Sequence, residues 1–157
     1  MKRILTMSTE ECYKFVRDHS NTGYVMIIID NDKDRRSVIQ FNRTERCPDY
    51  FWERFDENEN KYNFSDYDAD RMVEFIKKYT DTETLVITTP NGVLRSNAIK
   101  HAIIKCLGLQ EEEIPAEINQ YIYDQIIKAW ERSEKPPVPL KPKMIDGELV
   151  FVEDETE

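Results

Sequence analysis

The sequence has few cysteines, and their spacing excludes the sites that cysteines usually build. The chain of 157 residues holds three, Cys12, Cys47 and Cys106, which are far apart and include no CxxC pair. Neither a disulfide framework nor a structural zinc site matches this pattern. The thiols therefore indicate reduced residues of a cytoplasmic protein, and we expect no metal and no cofactor.

The sequence also lacks a long apolar segment. Its longest apolar run, residues 24–29 (YVMIII), is far shorter than the roughly 20 residues that cross a bilayer. Two basic residues near the start are followed by no apolar core of a signal peptide. We therefore expect a soluble, cytoplasmic protein with no membrane partner.

Positive charge is scarce as well. Lysines and arginines number 22 against 31 aspartates and glutamates, which gives a formal net charge of −9. Nucleic-acid binding depends on clustered cations that contact phosphates, so nucleic acid is not an expected partner. Hydrophobic residues make up 39% of the chain, which is enough for one folded domain with an ordinary core.

Apolar strands alternate with amphipathic helices along most of the chain. Ser8 and Glu11 predict a capping box at the start of a first helix, and Ser65 is expected to cap a second. Gly108 is placed to end a third helix that starts at Ser96. A last helix is predicted over residues 116–132, and strands over residues 24–29, 37–41, 50–55 and 84–88. The pattern predicts an α/β fold with a mostly parallel sheet of four to five strands flanked by helices.

The composition changes where the predicted last helix ends. A proline-rich segment, residues 136–142 (PPVPLKP), predicts a stiff, extended connector. Beyond it, Asp146-Gly147 is a turn signal between two short apolar runs. Residues 134–157 are therefore a C-terminal extension of a domain of residues 1–133. They could form a small hairpin, an added edge strand of the sheet, or a tail that binds a protein partner.

The segment VITTPNGVLRSNA, residues 86–98, has the layout of a phosphate-binding loop. A strand ends near Thr89, a small polar loop follows, and a helical pattern begins at Ser96. A loop at a helix N-terminus can direct several backbone N–H groups at one anion. Gly92 allows the tight turn, and Arg95 could hold two phosphate oxygens with its guanidinium. Ser96 is the expected N-cap of the helix.

This segment resembles the signature region of the cysteine-dependent tyrosine and dual-specificity phosphatases, particularly the small bacterial and phage-borne members of that superfamily. There the loop begins with His-Cys, holds five residues with a Gly near the middle, and ends with Arg-Ser. The resemblance extends to ILTMSTEEC, YVMIIID, RFDENEN, FSDYDADRMVEFIKKY and NQYIYDQIIKAW. It implies a phosphatase-like fold. It also implies that six residues bind the phosphate: Asn91, Gly92, Val93, Leu94, Arg95 and Ser96.

Three differences from the family pattern affect the chemistry. Thr88-Thr89 stands in place of His-Cys, and a hydroxyl has a much higher pKa than a thiol, with no adjacent base in the sequence. Pro90 removes one backbone N–H from the loop. Leu94 replaces the Ser or Thr that assists the leaving thiolate. All three predict that covalent catalysis is lost while anion binding is retained.

The family also uses an Asp on a separate loop as general acid. By position in the chain, Asp56 in RFDENEN is the best candidate, followed by Asp66 and Asp68. A solvated acidic loop is an equally consistent interpretation of each of these residues.

The leading hypothesis is a catalytically inactive phosphatase-like protein, a pseudophosphatase, in a bacterial or phage setting. It would bind a phosphorylated or other anionic ligand, or a protein partner, in a regulatory role. One alternative is an active phosphoester hydrolase that works through water, with Asp56 or Thr89 assisting. Another is an acidic interaction module that acts through its surface and residues 144–157. The loop could also be an ordinary strand-to-helix turn that binds nothing.

Overall fold

A four-stranded parallel sheet forms the centre of the domain. The computed structural model describes residues 1–31, 41–90, 92–110, 117–135 and 139–153. The strands are β1 (Arg3–Ser8), β2 (Tyr24–Asp30), β3 (Tyr50–Arg54) and β4 (Thr84–Thr89), in the spatial order β1-β4-β2-β3. Every residue of β2 and β4 is buried, as expected for inner strands of a parallel sheet that is covered on both faces. The predicted α/β class with a parallel sheet is confirmed.

In the described residues, four helices cover the two faces of this sheet: α1 (Thr9–Arg17), α2 (Asp66–Lys78), α3 (Leu94–Leu107) and α4 (Gln120–Glu134). Successive side chains of a strand point to opposite faces. Val25, Ile27 and Ile29 of β2 therefore belong to the larger core, which α2, α3 and α4 cover. Met26 and Ile28 belong to a smaller core, to which α1 contributes. The result is a three-layer domain with one helix on one face and three on the other.

The predicted capping residues determine several helix ends. Ser8 and Glu11 form the capping box of α1, and Ser65 forms another with Asp68 at the start of α2. Gly108 ends α3 in the left-handed conformation, with a φ of 63°. In the part of the chain that the structure describes, none of the helices has both the length and the apolar character needed to cross a membrane.

Two predicted helix starts are wrong. α3 begins at Leu94, with Val93 as its N-cap, so Ser96 is not the cap. The Ser96 hydroxyl instead donates a hydrogen bond of 3.2 Å to the Val93 carbonyl from inside the first turn. α4 begins after Asn119, whose side chain caps it, and residues 117–119 are not helical. Residue 116, the predicted start of this helix, lies outside the described residues.

Three of the four predicted strands are present in the structure. β2, β3 and β4 are confirmed to within about a residue at each end. The predicted strand over residues 37–41 falls mostly outside the described residues, and Phe41 is buried but lies in no strand. The sequence does not predict β1, which pairs in parallel with β4 so that Leu5 lies opposite Val86. Only Ile4 of this edge strand is buried, so its pattern is mixed.

The C-terminal extension contains a separate two-stranded antiparallel sheet. β5 (Leu140–Ile145) and β6 (Glu148–Glu153) are joined by Asp146 and Gly147, with φ of 51° and 80°. Positive φ at both central residues is typical of a type I′ hairpin turn. The hairpin alternative is confirmed, and the edge-strand alternative is wrong because these strands pair with each other. β5 also includes residues 140–142 of the predicted connector, whose residues 136–138 lie outside the described residues.

Candidate functional site

The carboxyl ends of the parallel strands bring three chain segments together at one edge of the sheet. β2 leads into Asn31, β3 leads into residues 55–57, and β4 ends at Thr89 just before α3. We call this region, with the first turn of α3, the carboxyl edge. In open α/β sheets ligands bind outside these strand ends, so it is the place to look for a site.

Arg95, in the first turn of α3, is the central residue of the carboxyl edge. Its side chain is only 2% exposed. Its Nε donates to Oε1 of Glu57 at 3.1 Å, its Nη2 donates to Oδ1 of Asn31 at 2.9 Å, and its Nη1 donates to the Phe55 carbonyl. Burial lowers the pKa of Arg95, and the charge of Glu57 offsets part of that effect. Because a guanidinium stays protonated in proteins, the group remains a buried cation that holds a carboxylate of its own chain.

Glu57 is held from two sides. While Oε1 accepts from Arg95, Oε2 accepts a hydrogen bond of 2.9 Å from Nδ2 of Asn119. The Glu57 side chain is 40% exposed, in contrast to the buried Arg95 side chain. The carboxylate is therefore the member of the ion pair that can move into solvent, whereas the guanidinium is fixed.

Asn119 connects this ion pair to two helices. Its Nδ2 also reaches the Glu57 carbonyl at 3.2 Å, and its Oδ1 accepts from the N–H of Ile122 at 3.1 Å as the cap of α4. Its backbone N–H donates to the Leu94 carbonyl at 3.1 Å, at the start of α3. One asparagine thus fixes the relative positions of α3, α4 and the segment after β3.

The residues predicted to bind phosphate do not all lie in the loop before α3. Asn91 lies outside the described residues, and Gly92 and Val93 are exposed. Leu94, Arg95 and Ser96 form the first turn of α3 and not part of the loop. Because Val93 supplies no side-chain cap, the positive end of the α3 dipole carries no capping hydrogen bond from a side chain. Gly92 has a φ of 72°, which agrees with the tight turn expected there.

Thr89, which the sequence resemblance aligns with a nucleophile, is buried at the end of β4. Its hydroxyl donates a hydrogen bond of 2.9 Å to the Gly92 carbonyl. A carbonyl oxygen is too weak a base to accept the hydroxyl proton, so this bond orients the hydroxyl without activating it. The bond closes the start of the loop.

Asp56, the candidate general acid, organises the turn that follows β3. Its Oδ1 accepts from the N–H of Asn58 at 2.8 Å, and its own N–H donates to Oδ1 of Asn63 at 2.9 Å. Its charge contributes to the field at Arg95, so it lies near the carboxyl edge. The lesser candidates Asp66 and Asp68 lie in the first turn of α2, where Asp68 completes the capping box.

None of the three cysteines supplies the missing thiolate. Cys12 is fully buried beside Met26, and burial raises the pKa of its thiol to about 12. Burial also raises the pKa values of Cys47 and Cys106 to about 11. All three thiols are protonated at neutral pH and are poor nucleophiles.

Sequence reasoning identified Arg95 but missed Asn31 and Glu57, which accept from it, and Asn119, which donates to Glu57. Glu57 stands in the acidic RFDENEN segment beside Asp56, and nothing in that segment indicates which carboxylate faces the arginine. Asn119 is a favoured N-cap type, and this was the signal that could have located it.

Comparisons of the chain with protein-family models, with curated proteins and with solved structures gave no significant match. Within the described ranges, no group of three or more His, Cys, Asp or Glu side chains is placed to hold a metal ion. Any ligand of the carboxyl edge therefore has to be inferred from its own residues.

Proposed function

We propose that this chain is a non-catalytic, phosphatase-like domain that binds a phosphorylated or other anionic ligand at its carboxyl edge, in a regulatory role. The ligand could be a small molecule or an anionic segment of a protein partner. The observation that carries the proposal is the contact between the buried Arg95 guanidinium and the Glu57 carboxylate. A desolvated guanidinium requires an anion, and carboxylate and phosphate present similar pairs of oxygens to the same donors.

Binding would occur by exchange of one anion for another. In the structure the Glu57 carboxylate pairs with the Arg95 guanidinium, and the exposed Glu57 side chain can turn outward. A phosphate group carries more charge than the carboxylate that it replaces, so Arg95 interacts with it more strongly. Nδ2 of Asn119, which donates to Glu57 in the structure, is a further donor, and the first turn of α3, which carries Arg95, has N–H groups that can contribute.

The lack of a nucleophile supports the non-catalytic part of the proposal. Among the described residues, the Thr89 hydroxyl is bonded to a carbonyl and to no base, and the three thiols are protonated. A site with an anion-binding arginine and no thiolate can retain a phosphorylated ligand without cleaving it.

Isothermal titration calorimetry with inorganic phosphate, sulfate and a phosphotyrosine peptide tests the binding. We expect Glu57→Gln to tighten binding about tenfold, because the competing charge is removed, and Arg95→Lys to weaken it at least tenfold. Arg132→Gln, which removes an exposed arginine paired with Asp70, is the control and should leave binding unchanged. Absence of binding in both the unmodified chain and Glu57→Gln would overturn the proposal.

Hydrolysis of a generic aryl phosphate tests the non-catalytic part separately. The unmodified chain should show no turnover, whereas Thr89→Cys restores a thiol at the end of β4 and should give measurable activity if the scaffold is phosphatase-like. Turnover by the unmodified chain would instead support the alternative of an active hydrolase.

A further inference from the structure

The C-terminal hairpin has one face that is almost entirely apolar. In the antiparallel register, Pro142 lies opposite Phe151 and Met144 lies opposite Leu149, so these four side chains share a face. We define the apolar face by these four residues and Leu140 at its end. The lysines of β5, Lys141 and Lys143, alternate onto the opposite face.

This apolar face is exposed. Leu140, Met144, Leu149 and Phe151 are 63%, 62%, 60% and 64% exposed. Among the helices and strands that the structure describes, β5 and β6 contact only each other. A two-stranded hairpin is marginally stable alone in water, so this segment needs a surface to pack against.

The two edges of the hairpin are poorly suited to extending its sheet with a second copy. An antiparallel pairing of β6 with itself over all six residues would place Glu148 opposite Glu153 at both ends. An approach along β5 would meet Pro142, which has no N–H, and two lysines. These features favour packing through the face over pairing through an edge.

We infer that the apolar face is a homodimer interface, in which two copies of the hairpin pack face to face about a two-fold axis. The four large side chains are each about 60% exposed, so complete coverage of them in both copies would bury a total on the order of 1,000 Å², the lower limit for a specific interface. This area reaches what a small dimer interface needs, and we take a second copy as the occupant. Two-fold homodimers are also the commonest soluble oligomers, and their interfaces are self-complementary.

Sedimentation velocity over a range of concentrations tests the dimer with the full chain. The species at high concentration should have twice the 18.7 kDa mass of one chain. Phe151→Ser, on the apolar face, should weaken dimerisation at least a hundredfold. Val150→Ser, its neighbour on the opposite face, should change it less than threefold. A monomer at every concentration overturns the inference, as does a dimer that both substitutions weaken equally.

Cross-linking gives a readout that does not depend on the stability of the Phe151→Ser hairpin. Pro142 belongs to the central pair of the apolar face, whereas the adjacent Lys143 points to the other side. Pro142→Cys should form an intermolecular disulfide under mild oxidation, and Lys143→Cys should not. Equal cross-linking of both variants, or a monomeric chain whose hairpin binds a protein of different sequence, overturns the second copy as the occupant.

Discussion

Glu53, on the edge strand β3, has a carboxyl group that titrates near neutral pH. Burial raises its pKa from the ordinary value of 4.5 to about 7, and the neighbouring Asp68 adds to the increase. Nη1 of Arg71 lies 3.4 Å from Oε2 of Glu53, and its charge offsets only part of the increase. The folded chain therefore binds this proton more tightly than the unfolded chain. The tighter proton binding stabilises the folded chain relative to the unfolded chain. This stabilisation is fully present below about pH 4.5 and is lost as the pH rises through 7.

Replacing Glu53 with glutamine should remove this pH dependence. At pH 8 we expect Glu53→Gln to be more stable than the unmodified chain by about 1 kcal/mol, a value reduced for solvent screening, and at pH 4 to be about equal. Urea denaturation at both pH values measures the difference. Glu59→Gln, which removes an exposed carboxylate elsewhere in the chain, is the control. The difference in stability between this variant and the unmodified chain should be the same at both pH values. A Glu53→Gln variant that is destabilised equally at both pH values would contradict the predicted titration.

The cysteines should be nearly inert in the folded chain. With thiol pKa values of about 11 to 12, their thiolate fractions at neutral pH are very small. We expect alkylation by iodoacetamide to be at least 100-fold slower than that of a free cysteine, as followed by intact mass. The half-buried Cys106 should react first, and urea should expose all three. Rapid modification of a single thiol under native conditions would contradict this prediction.

At the scale of single residues, the sequence predicted part of the candidate site. Arg95 follows from its spacing to Thr89, because a strand, a short loop and a helix fix where it lies. Its acceptors Asn31 and Glu57 do not follow, nor does Asn119, which donates to Glu57, since these residues come from three other segments whose approach depends on the whole sheet. Spacing along one segment is readable in a sequence, whereas contacts between distant segments are not.

Gly108 ends α3 by adopting a conformation that other residues avoid. Its φ is 63°, and a Cβ built there would meet no atom within 4 Å, so the cost of a substitution comes from the backbone alone. Gly108→Ala should lower the free energy of unfolding by about 1 kcal/mol, as measured by chemical denaturation. Gly108→Asn is the matched variant and should cost less, because Asn tolerates the left-handed region. Equal costs for the two variants would show that the conformation is not the cause.

Elements with strong local signals were predictable, and elements that depend on neighbours were not. The capping box of Ser8 and Glu11, the Ser65 cap and the Asp146-Gly147 turn are local features, and the structure confirms each. β1 buries only Ile4 and depends on its pairing with β4, so its own residues carry little strand signal. The start of α3 at Leu94 was also not predictable from the sequence, because valine is not a favoured N-cap residue.

Over the whole molecule, stability should be highest in the middle of the parallel sheet and lowest in the hairpin. β4 is paired on both sides, with β1 and β2, and β2 is paired with β4 and β3. Hydrogen exchange measured by mass spectrometry should therefore show the slowest amides in β2 and β4. The amides of β5 and β6 should exchange quickly in dilute solution. Fast exchange in β2, or hairpin protection equal to that of β4 in a monomeric sample, would contradict this order.

The position of β4 also has a consequence for synthesis of the chain on the ribosome. β1 is made before its ladder partner, which extends from Thr84 to Thr89, and the N–H groups of Lys2 and Arg3 donate to the carbonyl of Glu83. β1 must therefore wait until β4 has also been made before it can dock. A translational pause before codon 89 would prolong this interval and increase the need for a chaperone that binds the incomplete sheet.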